Sequence, residues 1–422
     1  MPPIININPI HIMGLISIYL LITRYKDTTI DFFINKNMLM ILIFFMCSVM
    51  IVFLAISSST KNFDYLKSLI YLLTSVLPTS ILASIIMLQR RMKINDFFKL
   101  LLVVAFIQSL ISLLAFLVPS FKQAMMHIFY YNQFVIGEKA FIANKRIFGF
   151  TMGFTYAMPV VQGFMAFVAF VYAIIESRKY IIYIPFLLFS ASVNARVGLL
   201  VFLISTAIFL LLYIPNSNLK IALRALKVIA LALFGFVLVI YFIGNQSPEI
   251  KYWILSAYEE IKVFLFGESM GYFSALERFI FFPKGIDLAL GAGRDYFHEQ
   301  HPIYRSSTDV GFVNDLFLGG IVFTVLLYSS IIKLYLSGRC KNSVELRYFP
   351  IIIVLLSLIL NIKGYAFRFN EFTNLFVLIS VFAILYKSQS TKEAYSIQYP
   401  LKTNNKIMLH NNRFRFNETQ VE

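Results

Sequence analysis

The side chains that could do chemistry are concentrated in one polar stretch, residues 291–309, between two long apolar regions. Its candidates for proton transfer or anion binding are Arg294, His298, His301, Arg305 and Asp309. An arginine carries a permanent charge and forms paired hydrogen bonds with phosphate oxygens. A histidine or a carboxylate can accept a proton from a reacting group. The stretch is therefore the main candidate for chemistry in this chain.

Two carboxylates lie at the start of the apolar run that follows. A serine or threonine followed by Asp309 is typical of a helix N-terminal cap, and a carboxylate there favours the helix dipole. Capping and catalysis both stay open for Asp309. Asp315 lies inside the apolar helix, where a carboxylate must face the bundle or a cavity. Gly311, Asp315 and Gly319 share one face, which predicts close packing against another helix.

The arginines have structural alternatives as well. Arg196 opens an apolar run after a short polar hairpin, where it could cap carbonyl groups or reach lipid phosphate. Arg294 and Arg305 could form ion pairs with Asp295 or Glu299. The large loop 244–309 has more acidic than basic residues, so recognition of an anionic lipid there depends on particular arginines.

No metal or nucleotide site is predicted. The Gly291-x-Gly293 pair lacks the third glycine and the strand–helix context of a dinucleotide motif. Cys47 and Cys340 lie far apart in the sequence and form neither a disulfide framework nor a metal cluster. We therefore expect no cofactor.

The elements that position these residues follow from the composition. Of 422 residues, 59% are hydrophobic and 14% are charged, and the mean hydropathy is +0.77. Soluble domains contain about 25% charged residues, so this chain must face lipid. We predict an all-α, polytopic bundle of about eleven transmembrane spans, within a range of about ten to twelve. The predicted spans lie near 5–22, 38–57, 68–88, 100–118, 154–175, 180–193, 197–213, 228–243, 310–332, 349–362 and 372–386.

The distribution of basic residues predicts the orientation. One set of alternate short loops contains 16 lysines and arginines and the other contains five. The basic set marks the cytoplasmic side, and it explains the net charge of +16 without a nucleic-acid partner. Residues 1–390 then form the membrane domain, with large periplasmic loops at about 119–153 and 244–309. Within the second loop, 249–265 has the pattern of an amphipathic helix. Residues 391–422 are predicted to be a disordered cytoplasmic tail.

Several short motifs resemble one known family. They are Ser190-Ala-Ser-Val-Asn-Ala-Arg196, Leu290-Gly-Ala-Gly293, Ser307-Thr-Asp309-Val-Gly311 and Leu318-Gly-Gly320. Together with the topology, they resemble the O-antigen polymerases (the Wzy family), which are related to O-antigen ligases and to glycosyltransferases of the GT-C type. The resemblance covers about 180–335. It implies an enzyme of the bacterial inner membrane that acts at the periplasmic face on undecaprenyl-pyrophosphate-linked repeat units, both as donor and as acceptor.

The resemblance also implies roles for the candidate residues. By motif position, Arg196 and Arg294 would bind the pyrophosphate, and no metal or nucleotide sugar is needed. His298, His301 and Asp309 are the candidates for the base. Ligases and many polymerases have a histidine just before the late span, whereas this chain has Thr308-Asp309 there. Further contacts with phosphate or sugar are expected from Arg305, Arg368 and Asp315.

Two alternatives remain open at this point. An O-antigen ligase would share the architecture but deliver the finished glycan to the lipid A core. A flippase or transporter of lipid-linked oligosaccharide would instead place charged residues in mid-span along a central path. Besides membrane lipid, the family suggests a chain-length regulator protein as a partner.

Overall fold

A computed structural model describes residues 9–129, 156–246, 280–296, 308–341 and 343–398. These residues form helices and no strands, so the predicted all-α class is confirmed for the described part of the chain. The predicted amphipathic helix at 249–265 and the candidates His298, His301 and Arg305 lie outside the described residues.

The helices follow one another with short connections. In chain order, the α-helices are α1 (Pro9–Thr23), α2 (Lys26–Ile34), α3 (Lys36–Ser58), α4 (Lys67–Tyr71), α5 (Leu77–Gln89), α6 (Ile94–Leu117), α7 (Pro119–Phe129), α8 (Ala157–Ile175), α9 (Tyr183–Asn194), α10 (Val197–Tyr213), α11 (Leu219–Gln246), α12 (Ile286–Leu290), α13 (Gly311–Ser337), α14 (Val344–Leu360) and α15 (Glu371–Gln398). A π-helical turn, Leu72–Val76, joins α4 to α5. Short 3-10 turns precede α4, α9 and α11.

Among the described residues, seven helical segments are long and apolar enough to cross a membrane. They are Lys36–Ser58, Phe63–Gln89, Ile94–Leu117, Ala157–Ile175, Leu219–Phe242, Gly311–Ser337 and Glu371–Ser390. His11–Thr23 and Val197–Tyr213 are shorter apolar helices. Each of the eleven apolar runs predicted from the sequence overlaps a helix. The chain is therefore a helical, membrane-embedded protein.

The centre of the bundle is α8, which is apolar on all sides and buried along nearly its whole length. A helix of this kind belongs in a core rather than at a surface. Glycines bring α10 into close contact with it, because a Cβ atom on Gly163 would lie 2.0 Å from the carbonyl oxygen of Gly198. Arg196, at the start of α10, is thereby fixed beside the beginning of α8.

Helix α13 is broken in its first half. Gly320 has φ of +71° and ψ of −171°, outside the helical region, and only glycine adopts such a conformation readily. A Cβ atom on Gly320 would lie 2.3 Å from the carbonyl oxygen of Ala289 in α12. The break therefore lies in close contact with α12, with no room for a side chain at position 320.

The last helix is longer than expected. Helix α15 continues to Gln398, so residues 391–398 are helical although the sequence predicted a disordered tail from 391. The rest of that tail, 399–422, lies outside the described residues.

Candidate functional site

The break in α13 receives the glycine-containing loop 291–294. Because Gly320 interrupts the helix, the Phe317 carbonyl accepts hydrogen bonds from outside it: from the Ala292 N–H at 2.7 Å and from the Arg294 N–H at 3.5 Å. Gly291 lies so close to the helix that a Cβ atom would be 2.5 Å from the Gly319 backbone. Two motifs noted in the sequence, Leu290–Gly293 and Leu318–Gly320, are thus in direct contact.

The other side of the same loop is fastened to the end of α3. The Thr60 hydroxyl donates to the Gly293 carbonyl at 2.9 Å. Gly293 has φ of +62°, and a Cβ atom there would lie 2.5 Å from the Ala55 carbonyl oxygen. The loop is therefore held between α3 and the broken helix, and its position is fixed by backbone contacts.

A buried ion-pair network lies beside this loop. The Arg368 side chain is only 3% exposed. Its Nε donates to Asp315 Oδ1 at 2.7 Å and its Nη1 donates to Asp295 Oδ2 at 2.6 Å. Nη2 lies 2.6 Å from Asp315 Oδ1 as well. One arginine thus joins the loop that follows Gly293 to the first half of α13.

Tyrosine hydroxyls complete the network. Tyr328 donates to Asp315 Oδ2 at 2.6 Å, and Tyr365 donates to Asp295 Oδ1. Burial holds the pKa of Tyr365 well above its ordinary value, with Arg368 acting in the opposite direction, so the phenol remains a donor. All four oxygens of the two carboxylates therefore accept a hydrogen bond or an ion pair. The Arg368 Nη2 atom makes an ion pair with Asp315 but no hydrogen bond. The buried charges are thus paired with one another, as burial of charge requires.

The network decides between several readings of the sequence. Asp315 faces the interior of the bundle, as predicted. The expected alternative of an Arg294–Asp295 ion pair is wrong, because Asp295 is buried and bonded to Arg368 while the Arg294 side chain is exposed. In this structure the guanidinium of Arg368 is occupied by two carboxylates, and Asp315 is likewise engaged, so both are in positioning contacts rather than open to a phosphate or a sugar.

Asp309 does not cap the following helix. The N-cap residue of α13 is Val310, and it makes no side-chain cap hydrogen bond. Instead, the Asp309 carboxylate forms an ion pair with Lys363 at 2.9 Å. Burial raises the pKa of the Asp309 carboxyl. The prediction of an Asp309 cap is therefore wrong, and its role as a proton acceptor stays a prediction.

Asn314 holds together the two ends of the segment that contains the remaining candidates. Its Oδ1 accepts from the Tyr296 N–H at 2.9 Å, and its Nδ2 donates to the Thr308 carbonyl at 2.8 Å. The Thr308 N–H also donates to the Tyr296 carbonyl at 2.9 Å. Positions 298, 301 and 305 lie on the chain between these two anchored residues.

Arg196 lies at the same end of the bundle, on other elements than the network. The residue is half-buried, and its helix begins against α8, where Gly198 packs on Pro159. Just before α8, the Tyr156 hydroxyl donates to the Leu360 carbonyl at 2.6 Å. Burial, and secondly Asp309, raise the pKa of Tyr156. Tyr156 is therefore the link between the Arg196 side of the bundle and the turn that carries Lys363.

Sequence reasoning missed four residues of this site, which are Tyr328, Asn361, Lys363 and Tyr365, and it considered Asp295 only as a partner of Arg294 or Arg305. Asn361 belongs to the site because its Nδ2 donates to the Tyr328 hydroxyl. Most of the missed residues lie in 361–370, a short connection between two apolar helices. A search for polar residues in short loops beside Arg368 would have found this connection. Within the described ranges, no group of three or more histidine, cysteine or acidic side chains is arranged to hold a metal ion.

No protein-family model, no curated protein and no solved structure matches this chain. The class of the protein therefore rests on its own fold and site: a helical membrane protein with a broken helix, a glycine loop seated in the break, and a buried arginine–carboxylate network beside them.

Proposed function

We propose that the protein is a membrane glycosyltransferase of the O-antigen polymerase type, which joins undecaprenyl-pyrophosphate-linked repeat units into a surface polysaccharide. The observation that supports this proposal most directly is the contact between the motifs. The Leu290–Gly293 segment contacts the break at Leu318–Gly320. Arg294, the next residue, is exposed beside the Arg368 network. Asp309 lies at the same end of the bundle.

The chemistry of such a reaction needs a fixed cation for the leaving pyrophosphate and a base for the acceptor hydroxyl. Arg294 offers a permanent charge on a loop that is held by backbone contacts, and preorganised charge of this kind stabilises a leaving anion. Arg196 is proposed as the second cation. Asp309 is the base that the described residues favour, and His298 and His301 remain proposed alternatives on the adjoining segment.

The proposal includes a topology of eleven spans in the inner membrane. The seven long helical segments account for seven of them, and α1, α9, α10 and α14 account for the shorter ones. The site would then face the periplasm, because the short loops at the opposite end hold most of the lysines and arginines. A periplasmic site is where lipid-linked repeat units would meet.

A transporter of lipid-linked oligosaccharide is the second candidate. It is favoured by the break in α13 and by the buried Asp315, since transporters place discontinuous helices and charges around a substrate path. An O-antigen ligase is a third alternative, which the sequence favours less, because this chain has Thr308-Asp309 where ligases have a histidine.

A lipopolysaccharide gel of a strain that lacks this gene, with and without a plasmid copy, separates these functions. We expect the ladder to collapse to core plus one repeat unit, and the plasmid to restore it. Loss of every repeat unit would indicate a flippase or a ligase, and an unchanged ladder would contradict all three assignments for this polysaccharide.

A further inference from the structure

The ion pair between Lys363 and Asp309 lies at the surface of the site. The two side chains are 41% and 38% exposed, and their charged atoms are 2.9 Å apart. The buried pairs of Arg368 differ from it, because their guanidinium is 3% exposed. A partner arriving from solvent or from the membrane surface can therefore reach Lys363 without entering the core.

The turn that carries Lys363 is held rigidly. The Asn361 carbonyl accepts from the Phe312 N–H at 3.3 Å, and the Asn361 Oδ1 accepts from the Ala366 N–H at 2.9 Å. Gly364 is covered by the Tyr156 ring, which would lie 2.8 Å from a Cβ atom at that position. The ammonium group is thus presented from a fixed backbone beside the start of α13.

The Lys363–Asp309 ion pair is weak enough for another anion to replace Asp309 as the partner of Lys363. Burial raises the pKa of Asp309 and lowers that of Lys363, so burial disfavours the charged form of each partner. A half-exposed pair of this kind holds together weakly, by about 0–1 kcal/mol. A phosphate group offers the ammonium several strong acceptor oxygens and more charge than one carboxylate. A phosphate is therefore able to displace Asp309 from Lys363.

We propose that Lys363 binds the pyrophosphate of a polyprenyl-linked donor, and that this binding releases Asp309 to act as the base. The inference rests on the proposed function and deepens it, because it makes donor binding the event that frees the base. In the absence of donor, Lys363 holds the Asp309 carboxylate and weakens it as a proton acceptor.

The step balances as follows at the atoms concerned. The acceptor hydroxyl oxygen attacks the anomeric carbon of the donor sugar, and its proton passes to the Asp309 carboxylate. The bond from the anomeric carbon to the phosphate oxygen breaks, and its electron pair leaves with undecaprenyl pyrophosphate. The Lys363 ammonium neutralises part of the charge on that leaving group, and the protonated Asp309 later gives its proton to water.

The proposal is tested by measuring the binding of undecaprenyl pyrophosphate to the purified full-length protein in zwitterionic nanodiscs. Two variants should change the affinity in opposite directions. Lys363→Met should weaken binding about tenfold, because a charge-assisted contact is lost. Asp309→Asn should tighten binding about two- to fivefold, because the competing carboxylate is gone. Lys363→Arg should retain most of the affinity. Undecaprenol, which has no phosphate, should bind all variants alike.

Lys67→Met is the matched control. Lys67 forms an ion pair with Asp64 at 2.8 Å, is 58% exposed, and is predicted to lie on the same face of the membrane. This variant should bind undecaprenyl pyrophosphate as the wild type does. Inorganic pyrophosphate and an anionic phospholipid serve as competitors, and both should compete poorly. Equal competition by either would contradict recognition of a polyprenyl pyrophosphate.

The proposal is overturned if Lys363→Met binds as tightly as the wild type, or if Asp309→Asn weakens binding as much as Lys363→Met does, as a purely structural ion pair would. Failure of the proposed function looks different. In that case the variants shift binding as expected while the gene deletion leaves the polysaccharide ladder intact.

Discussion

At the scale of single residues, the network around Arg368 shows how a charge is kept in the interior of a helical bundle. Arg368 has carboxylates on two sides, and each carboxylate has a tyrosine hydroxyl on its other oxygen. Burying such charges is costly unless every partner is present. The network is therefore sensitive to loss of any one member, and its role is to fix the elements that it joins.

Arg368→Gln should lower stability strongly, because it leaves Asp295 and Asp315 buried without a counter-charge. Removing one partner of a buried pair costs about 3–5 kcal/mol. Thermal unfolding of the purified protein in detergent measures this effect. Arg294→Gln is the control, since Arg294 is exposed on the neighbouring loop position, and its midpoint should stay near that of the wild type. Equal midpoints for the two variants would contradict a buried network.

At the scale of elements, the site depends on the fit between the loop 291–294 and the break in α13. Helix α13 is interrupted at Gly320, which has a non-helical conformation and lies so close to Ala289 that an added Cβ atom would be 2.3 Å from its carbonyl oxygen. The freed Phe317 carbonyl is then satisfied by the loop. The break at one positive-φ glycine thus leaves a backbone carbonyl in an apolar helix free to bind the segment that carries Arg294.

Gly320→Ala should destabilise the protein and remove its activity in the ladder assay. The backbone conformation alone costs an alanine about 1–3 kcal/mol, and the added methyl group would meet the Ala289 backbone at 2.3 Å. Gly285→Ala is a close control, because Gly285 also has positive φ, of +61°, with no atom within 4 Å of the added Cβ. If both variants unfold at the same temperature, contact between loop and break is not what fixes the site.

At the scale of the whole molecule, hydropathy was sufficient to predict where the helices lie, but it was not sufficient to predict which residues meet in the site. Every predicted apolar run overlaps a helix, because a chain in lipid must satisfy its backbone hydrogen bonds within helices. The inward orientation of Asp315 followed from the same reasoning. The identity of its partner could not be predicted, because Arg368 lies 53 residues further along the chain and no periodic pattern connects the two residues.

Asp309 and Gly320 also show that local sequence patterns do not predict tertiary contacts. The Ser/Thr-Asp pattern before a helix predicts a cap, yet the carboxylate turns to Lys363, 54 residues away, because a charged partner at the surface competes with the backbone. The face shared by Gly311, Asp315 and Gly319 predicts helix packing from the sequence alone. At Gly320 the structure has a positive φ and a close tertiary contact with α12, and local propensity does not describe such a contact.

The orientation of the bundle is open to a direct test. In a variant without the native cysteines, Cys47→Ser and Cys340→Ser, a cysteine in place of Lys61 should react with a membrane-impermeant reagent in intact cells. One in place of Lys341 should react only after the inner membrane is opened. Lys61 and Lys341 are both exposed, so accessibility depends on the side of the membrane. If only the Lys341→Cys variant reacted in intact cells, the orientation of the bundle would be the opposite of the predicted one.

The most direct test of the central claim is extension of lipid-linked repeat units by the purified protein in lipid vesicles, followed on a gel. We predict that the wild type forms a ladder of longer glycans on undecaprenyl pyrophosphate without added metal or nucleotide sugar. Arg196→Ala, Arg294→Ala and Arg294→Lys should form none while remaining folded, because a bidentate phosphate contact is lost. Single repeat units left unextended by folded wild-type protein, or ladders of normal length from both alanine variants, would contradict the account.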